Sequence, residues 1–309
     1  MTLRPIRLLV VGGSGFIGRN VVKRAAAMGW QVTSIGLSSQ VAGELESQGV
    51  RSLVADIRKK AALSEVLGDA SFEYVVNCGG YIDHIAYFNG GGKVFDTHFG
   101  GLCNLVELLN RQTLVGLVNI GSSDEYGNMP APQREGQREA PISPYALSKL
   151  AATHLLQMLH RTEDFPGITL RVFLCYGPDQ DERRFLPQII RGCLENRSFP
   201  ASEGRQLRDF CFIEDVVAAT FAALTSAQAK GEVINIGSGQ PVSIRQIIET
   251  VRDLTGGGTP LFGKIAYRRG ENMELYPDIS KAKSILGWKP QVALDQGLKE
   301  TIQWSRDNP

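Results

Sequence analysis

Neither sign of charge is in excess in this chain: 33 Lys and Arg stand against 32 Asp and Glu, a net charge of +1. A balance of that kind gives no global field to grip a phosphate backbone or an anionic bilayer, so neither nucleic acid nor a membrane is expected as a partner. Long hydrophobic runs are also missing. The longest early one, Leu8-Leu9-Val10-Val11, stops at Gly12-Gly13, far short of the roughly 20 apolar residues that span a bilayer, and with no export signal a cytoplasmic protein is expected. Cysteine is scarce, with five residues (Cys78, Cys103, Cys175, Cys193 and Cys211) and no Cys-x-x-Cys pair. This excludes a disulfide framework; reduced core thiols and no metal are expected.

What is present is an ordinary globular composition, 43% hydrophobic and 21% charged over 309 residues, which excludes a disordered chain or a coiled coil. Short β-branched runs at Arg7–Val11, Gln31–Ile35, Arg51–Val54, Tyr74–Cys78, Gly116–Ile120 and Ile168–Phe173 alternate with stretches of helical apolar spacing at Phe16–Met28, Lys59–Leu67, Lys93–Arg111 and Tyr145–Thr162. That alternation predicts an α/β fold, a doubly wound parallel sheet covered by helices on both faces. After Pro178 the rhythm loosens. Residues 1–177 are read as a dinucleotide-binding domain, re-entered near residues 210–240, and residues 178–309 as a smaller α/β substrate lobe. Gly90-Gly91-Gly92 and Gly256-Gly257-Gly258 read as flexible connections.

The first strand runs into Gly12-Gly13-Ser14-Gly15-Phe16-Ile17-Gly18, which opens the first helix. Such a turn leaves backbone N–H groups and the positive helix end facing any pyrophosphate. Gly12 would permit the turn, Gly15 the approach of the phosphate and Gly18 the packing of helix on strand, with Phe16 and Ile17 supplying N–H groups. Taken alone, an ordinary glycine-rich turn would look the same; its place after the first strand favours the dinucleotide. The second strand ends at Gly36 rather than at the carboxylate that usually receives the ribose 2′-hydroxyl of NAD. Ser38 and Ser39 follow and could donate to a 2′-phosphate, so NADP(H) is favoured and NAD(H) remains open. Asp56, with Ile57 beside it, is placed at the adenine.

Tyr145 and Lys149 stand four residues apart, one turn along one helix face. A nearby cation lowers a phenol's pKa toward the range where it exchanges protons, and Lys149 would supply it. Ser122 closes the fifth strand, at the sheet edge where such folds bind ligands.

Together these residues resemble the extended short-chain dehydrogenase/reductases, the NAD(P)-dependent nucleotide-sugar epimerase, dehydratase and reductase family. The resemblance covers nearly the whole chain. It rests on Gly12-x-x-Gly15-x-x-Gly18, Val54-Ala55-Asp56, Ser122 with Tyr126-Gly127, Tyr145-x-x-x-Lys149 and Tyr176-Gly177-Pro178. Later matches are Arg208-Asp209-Phe210 with Asp215-Val216-Val217, Asn235-Ile236-Gly237, Arg268-Arg269-Gly270-Glu271, Asp278-Ile279-Ser280 and Leu286-Gly287-Trp288-Lys289-Pro290. It implies a Rossmann-like fold, with Tyr145 as proton donor or acceptor and Lys149 holding the nicotinamide ribose. It further implies Ser122 on the sugar oxygen and Arg208 and Arg268 on the substrate diphosphate. Tyr81 and Ser123 are assigned to the sugar pocket, and a nucleotide-diphosphate sugar is the expected partner. Relatives pair through two helices, which implies a homodimer with Leu102, Leu105, Leu109, Leu150, Leu155 and Leu159 as the apolar face.

Three departures narrow the activity. Dehydratases of this group carry an acid pair whose glutamate lies two residues before Tyr-Gly, whereas here Asp124 holds that place and Glu125 adjoins Tyr126. Elimination of water needs a base and an acid on neighbouring carbons, so a 4,6-dehydratase ranks third. Leu174 stands where Asn is common before Tyr-Gly-Pro, and His98 where a buried Asn is common; His98 reads as a satisfied structural residue. A 4-ketoreductase acting with NADPH on a nucleotide-linked 4-keto-6-deoxy sugar is favoured over an NAD-dependent 4-epimerase. A non-catalytic nucleotide sensor is the reading from another class, and intact Ser122, Tyr145 and Lys149 speak against it.

Overall fold

The structure is a computed structural model that describes residues 4–47, 49–267 and 270–308. Its first half alternates strand and helix: β1 (Arg7–Val11), α1 (Phe16–Ala27), β2 (Gln31–Gly36), α2 (Ser39–Glu46), β3 (Arg51–Val54), α3 (Lys60–Leu67) and β4 (Tyr74–Asn77). There follow α4 (Gly91–Phe95), α5 (Gly101–Leu108), β5 (Gly116–Ser122), α6 (Pro144–Glu163) and β6 (Gly167–Val172). β1, β4, β5 and β6 are buried along almost their whole length because helices cover both faces of the sheet. Val21, Val22 and Ala25 of α1 pack on one face, and Leu63, Leu102, Leu105 and Leu156 on the other.

After β7 (Leu174–Tyr176), α7 (Phe185–Leu194), β8 (Ser198–Pro200), β9 (Leu207–Phe212) and α8 (Ile213–Thr225), the chain returns to the main sheet as β10 (Val233–Ile236). Seven parallel strands result, in the order β10-β6-β5-β4-β1-β2-β3. The winding reverses between β1 and β4, and their carboxyl ends leave a crevice there. Beyond β10 come β11 (Pro241–Ser243), α9 (Ile244–Thr255), β12 (Thr259–Leu261), which pairs with β8, and β13 (Glu274–Leu275). β9 is flanked by β11 and β13 and also pairs with β7. The last helices, α10 (Ser280–Leu286) and α11 (Leu294–Asp307), are tied back by Asp215. Its carboxylate accepts from the N–H groups of Gln291 and Val292 at 2.8 and 3.0 Å, and its carbonyl from Trp288 Nε1 at 3.0 Å.

Several expectations need correction. The helix expected at Lys93–Arg111 runs from Gly91 to Leu108 without a break and carries a π-helical turn, Asp96–Gly100, between α4 and α5, in which Thr97 and His98 are buried. Gly90-Gly91-Gly92 is not a loose connection, because Gly91 is buried and a Cβ there would lie 2.6 Å from Pro144 Cγ. The stretch after Gly36 continues into α2, whose start is capped by Ser38 accepting from the Val41 N–H. Of the leucines expected on a partner face, Leu102, Leu105, Leu109 and Leu150 are buried within this chain, whereas Leu155 and Leu159 of α6 are only partly buried. Among the described residues, no helix is long and apolar enough to cross a membrane.

Candidate active site

The glycine turn lies at the crevice. A Cβ on Gly18 would collide with the Gly12 carbonyl, so only glycine lets α1 start this close to β1. Gly15 caps α1 without any side-chain hydrogen bond, which leaves the first N–H groups, including those of Phe16 and Ile17, for a ligand. The residues therefore fit a pyrophosphate. At the ribose end, Gly36, Ser38, Ser14, Ser34 and Ser52 line a small hollow, and Leu37 beside it is exposed. No carboxylate lines this hollow among the described residues. Ser39 opens α2 next to it. Asp56 is engaged by its neighbour Arg58, whose Nε and terminal nitrogen approach to 2.9 and 2.6 Å; that hydrogen bonding holds the carboxyl below its ordinary range. Asn104 donates to the Ile57 carbonyl at 2.8 Å.

Helix α6 begins at Pro144, with Ser143 capping the N–H of Ala146 at 3.1 Å. Tyr145, Lys149 and Thr153 then recur every four residues on its inward face, all buried. Ser122 ends β5 opposite them. Its hydroxyl oxygen accepts from the Asp124 N–H at 3.1 Å, which leaves its proton free to donate, and it stands near enough to Tyr145 to act on the phenol's pKa. Lys149 Nζ donates to the Ile120 carbonyl at 2.7 Å and stands 6.0 Å from the centre of the Tyr145 ring.

Burial shapes the chemistry of this cluster. It raises the Tyr145 pKa, Asp124 adds to the rise, and Ser122 works against it. The downward shift expected from Lys149 is thus absent in the free protein, where the ammonium is turned to a carbonyl and burial brings its own pKa down to about 8. Asp124 is raised by burial, with His84 opposing; His84 Nε2 lies 3.7 Å from its carboxylate. The rings of His84 and His98 meet the Tyr145 ring edge-on, at 5.6 and 5.2 Å between centres.

His98 is only half satisfied. Nε2 donates to the Tyr81 carbonyl at 2.8 Å, whereas Nδ1 is buried and has no partner among the described residues. Burial, then the charge of Lys149, lowers its pKa to about 3, so it is neutral. Tyr81 itself keeps its side chain half exposed, and Ser123 is buried at the start of the turn after β5.

Glu125 is not a displaced catalytic acid. It is completely buried and accepts from the Ser122 N–H at 2.9 Å, Thr153 Oγ1 at 2.8 Å and Arg171 Nε at 2.8 Å; Arg171 also holds Glu139 at 2.6 Å. This network pins the serine's strand end to the helix carrying Tyr145 and Lys149. Nothing in local spacing announced it, since its members lie 28 and 46 residues from Glu125. Asn235 is likewise scaffold, accepting from Tyr126 Oη at 2.7 Å. Arg208 is buried against Glu271 at 2.5 Å. Arg268 lies outside the described residues. Arg19, which sequence reasoning passed over, reaches Asp179 across the crevice side of α1.

The sequence pattern of the NAD dependent epimerase/dehydratase family matches residues 8–237. A UDP-glucuronate 4-epimerase of Thermodesulfobacterium geofontis is 28% identical, the alignment covering 97% of this chain and 96% of that protein. A dTDP-glucose 4,6-dehydratase of Streptomyces niveus is 29% identical over 98% of this chain and 94% of its own. The UDP-glucuronic acid 4-epimerase of Bacillus cereus, solved with UDP-glucuronic acid and NAD, has the same fold with a TM-score of 0.86. It is 27% identical and covers 98% of this chain and 99% of its own. The matched span contains the glycine turn, Ser122, Tyr145 and the returning strand β10, and this chain belongs to the NAD dependent epimerase/dehydratase family of extended short-chain dehydrogenase/reductase enzymes.

Proposed function

We propose that this protein carries out hydride transfer at C4 of a hexose linked to a nucleoside diphosphate, and that its net reaction is reduction of a 4-keto-6-deoxy sugar. The observation that carries this reading is the burial of Ser122, Tyr145 and Lys149 together, with the ammonium 6.0 Å from the phenol ring, at the carboxyl edge of a sheet whose glycine turn suits a dinucleotide. A nicotinamide ring, when bound, supplies hydride to C4. Ser122 donates to the ketone oxygen, and Tyr145 gives it a proton, so no free alkoxide forms. Lys149 holds positive charge near the phenolate that remains, until solvent restores the proton. Burial keeps the Tyr145 phenol protonated in the free protein, which suits an acid that begins the cycle by giving its proton away.

Two further observations support reduction. Glu125 is tied to Arg171, so only Asp124 remains of the acid pair an elimination requires. The ribose end has serines and Gly36 in place of a carboxylate, so no negative charge there repels the 2′-phosphate of NADP(H). The second reading is a 4-epimerase that keeps NAD throughout its cycle, supported by relatives named 4-epimerases and by NAD in the Bacillus cereus enzyme. The deciding experiment is the cofactor content of the purified protein, followed by assays with and without added NADPH. Oxidation of NADPH only on addition of a 4-keto-6-deoxy sugar nucleotide supports the reductase. Stoichiometric bound NAD, with interconversion of UDP-sugars and no added cofactor, selects the epimerase. A second copy of the chain is proposed to pair along α6, where Leu147 and Met158 stay exposed; mass measurement in dilute solution tests it.

A further inference from the structure

Arg19 sits on the first turn of α1, its N–H donating to the Gly15 carbonyl, at the end of the helix that attracts anions. Its guanidinium does not point into open solvent. One terminal nitrogen pairs with the carboxylate of Asp179, and both side chains are about one-third exposed, at 30% and 38%. The Arg19 Nε is buried and finds no hydrogen-bond partner among the described residues. A guanidinium N–H left in that state is costly, and a ligand oxygen is the group that would satisfy it.

Asp179 belongs to a different part of the molecule. It follows Tyr176-Gly177-Pro178, where the chain leaves the main sheet for the smaller lobe, and its backbone is held at φ 63°, the left-handed region that side chains other than glycine seldom adopt. The next residue fixes the same turn, because Gln180 Nε2 donates to the Cys175 carbonyl at 2.8 Å. An unfavourable backbone conformation, retained in a turn fastened on its far side, brings the Asp179 carboxylate to Arg19. The ion pair therefore joins the helix that starts the cofactor crevice to the loop that starts the substrate lobe.

We propose that Arg19 and Asp179 form a clasp over the dinucleotide crevice. Arg19 donates through its unpartnered Nε to the bound pyrophosphate, Asp179 holds the guanidinium in place, and the pair sets how slowly the cofactor leaves. A planar guanidinium suits this double duty, because separate N–H groups of one rigid fork serve carboxylate and phosphate at once. The clasp rests on the dinucleotide reading given under Proposed function and adds to it the two residues that control retention.

The test is stopped-flow release of NADH and NADPH, followed by their fluorescence, from the full-length protein and from Arg19→Met, Asp179→Asn and the double variant. Arg19→Met should release the cofactor about tenfold or more faster. Asp179→Asn should release it several-fold faster, as expected for a partly exposed ion pair. Because Asp179 acts through Arg19, the double variant should match Arg19→Met alone. Arg19→Lys, which keeps the charge but loses the fork, should fall between. Release from Arg19→Met at the wild-type rate, or an Asp179→Asn effect that persists in the Arg19→Met background, overturns the clasp and leaves the functional reading intact. Failure of the unaltered protein to bind either dinucleotide overturns the functional reading, and the clasp with it.

Discussion

Replacing Glu125 by alanine should cost the fold far more than it costs the chemistry. In the native protein its carboxylate takes three hydrogen bonds, from Ser122 N, Thr153 Oγ1 and Arg171 Nε, at 2.8–2.9 Å and with no solvent access. Removal strands Arg171, whose side chain is entirely buried and whose one remaining ion partner among the described residues is Glu139. Breaking a buried pair in this way costs about 3–5 kcal/mol, against a total stability of roughly 5–15 kcal/mol for a folded protein. Glu139→Ala should cost less, because that carboxylate keeps 15% exposure and water can replace part of it. The joint replacement Glu125→Leu with Arg171→Met removes both charges and should recover much of the loss. Urea unfolding, with the slope checked for constancy, measures all three. A loss below about 1 kcal/mol for Glu125→Ala refutes the structural assignment. A variant that stays stable yet loses turnover completely would return Glu125 to the role of a reacting acid.

Four other outcomes are expected. Tyr145→Phe should lower turnover by roughly 10²–10⁴-fold while leaving dinucleotide affinity nearly unchanged, measured by steady-state rates beside fluorescence titration. The rate at limiting sugar nucleotide should decline as pH rises through about 8, where the buried Lys149 gives up its proton. Acid should act on stability through His98. Its folded pKa of about 3 lies below the roughly 6.5 of an unfolded histidine, so its contribution is complete above pH 6.5 and is lost progressively as pH falls toward 3. His98→Asn should flatten that slope in pH-dependent unfolding. Gly18→Ala should abolish dinucleotide binding and lower the melting temperature, since the added carbon has nowhere to go but into the Gly12 carbonyl.

The strands and the long helices were legible because apolar spacing reports burial directly. β1 and β3 match their expected bounds, and α6 differs by one residue at each end. The same rule found the helix before β5 but not the π-helical turn inside it. Periodicity alone cannot show that Asp96–Gly100 widens into a π-helical turn, which depends on how His98 packs beneath Tyr81 and against Tyr145. Short-range motifs also carried the site: Ser122, Tyr145 and Lys149 are brought to one buried cluster. Interactions across long stretches of sequence stayed hidden. Glu125 looks like a misplaced acid until Arg171 comes beside it, and the expected effect of Lys149 on the phenol gave way to burial, which no spacing reveals. Arg208, expected on the substrate diphosphate, has Glu271 against it, 63 residues later in the chain, which no motif shows.

Val233–Ile236 joins the sheet only after the chain has travelled out through α7, β8, β9 and α8, and it supplies the last partner of β6. A nascent chain that has emerged only as far as Gly177 therefore carries a bare outer margin on β6, with unmatched amide and carbonyl groups that invite the wrong neighbour. The seven-stranded sheet is closed only once residues 233–236 have been made. Any recombination that replaces the residues between 177 and 233 has to conserve both the exit and the homecoming segment, or leave β6 without its outer partner.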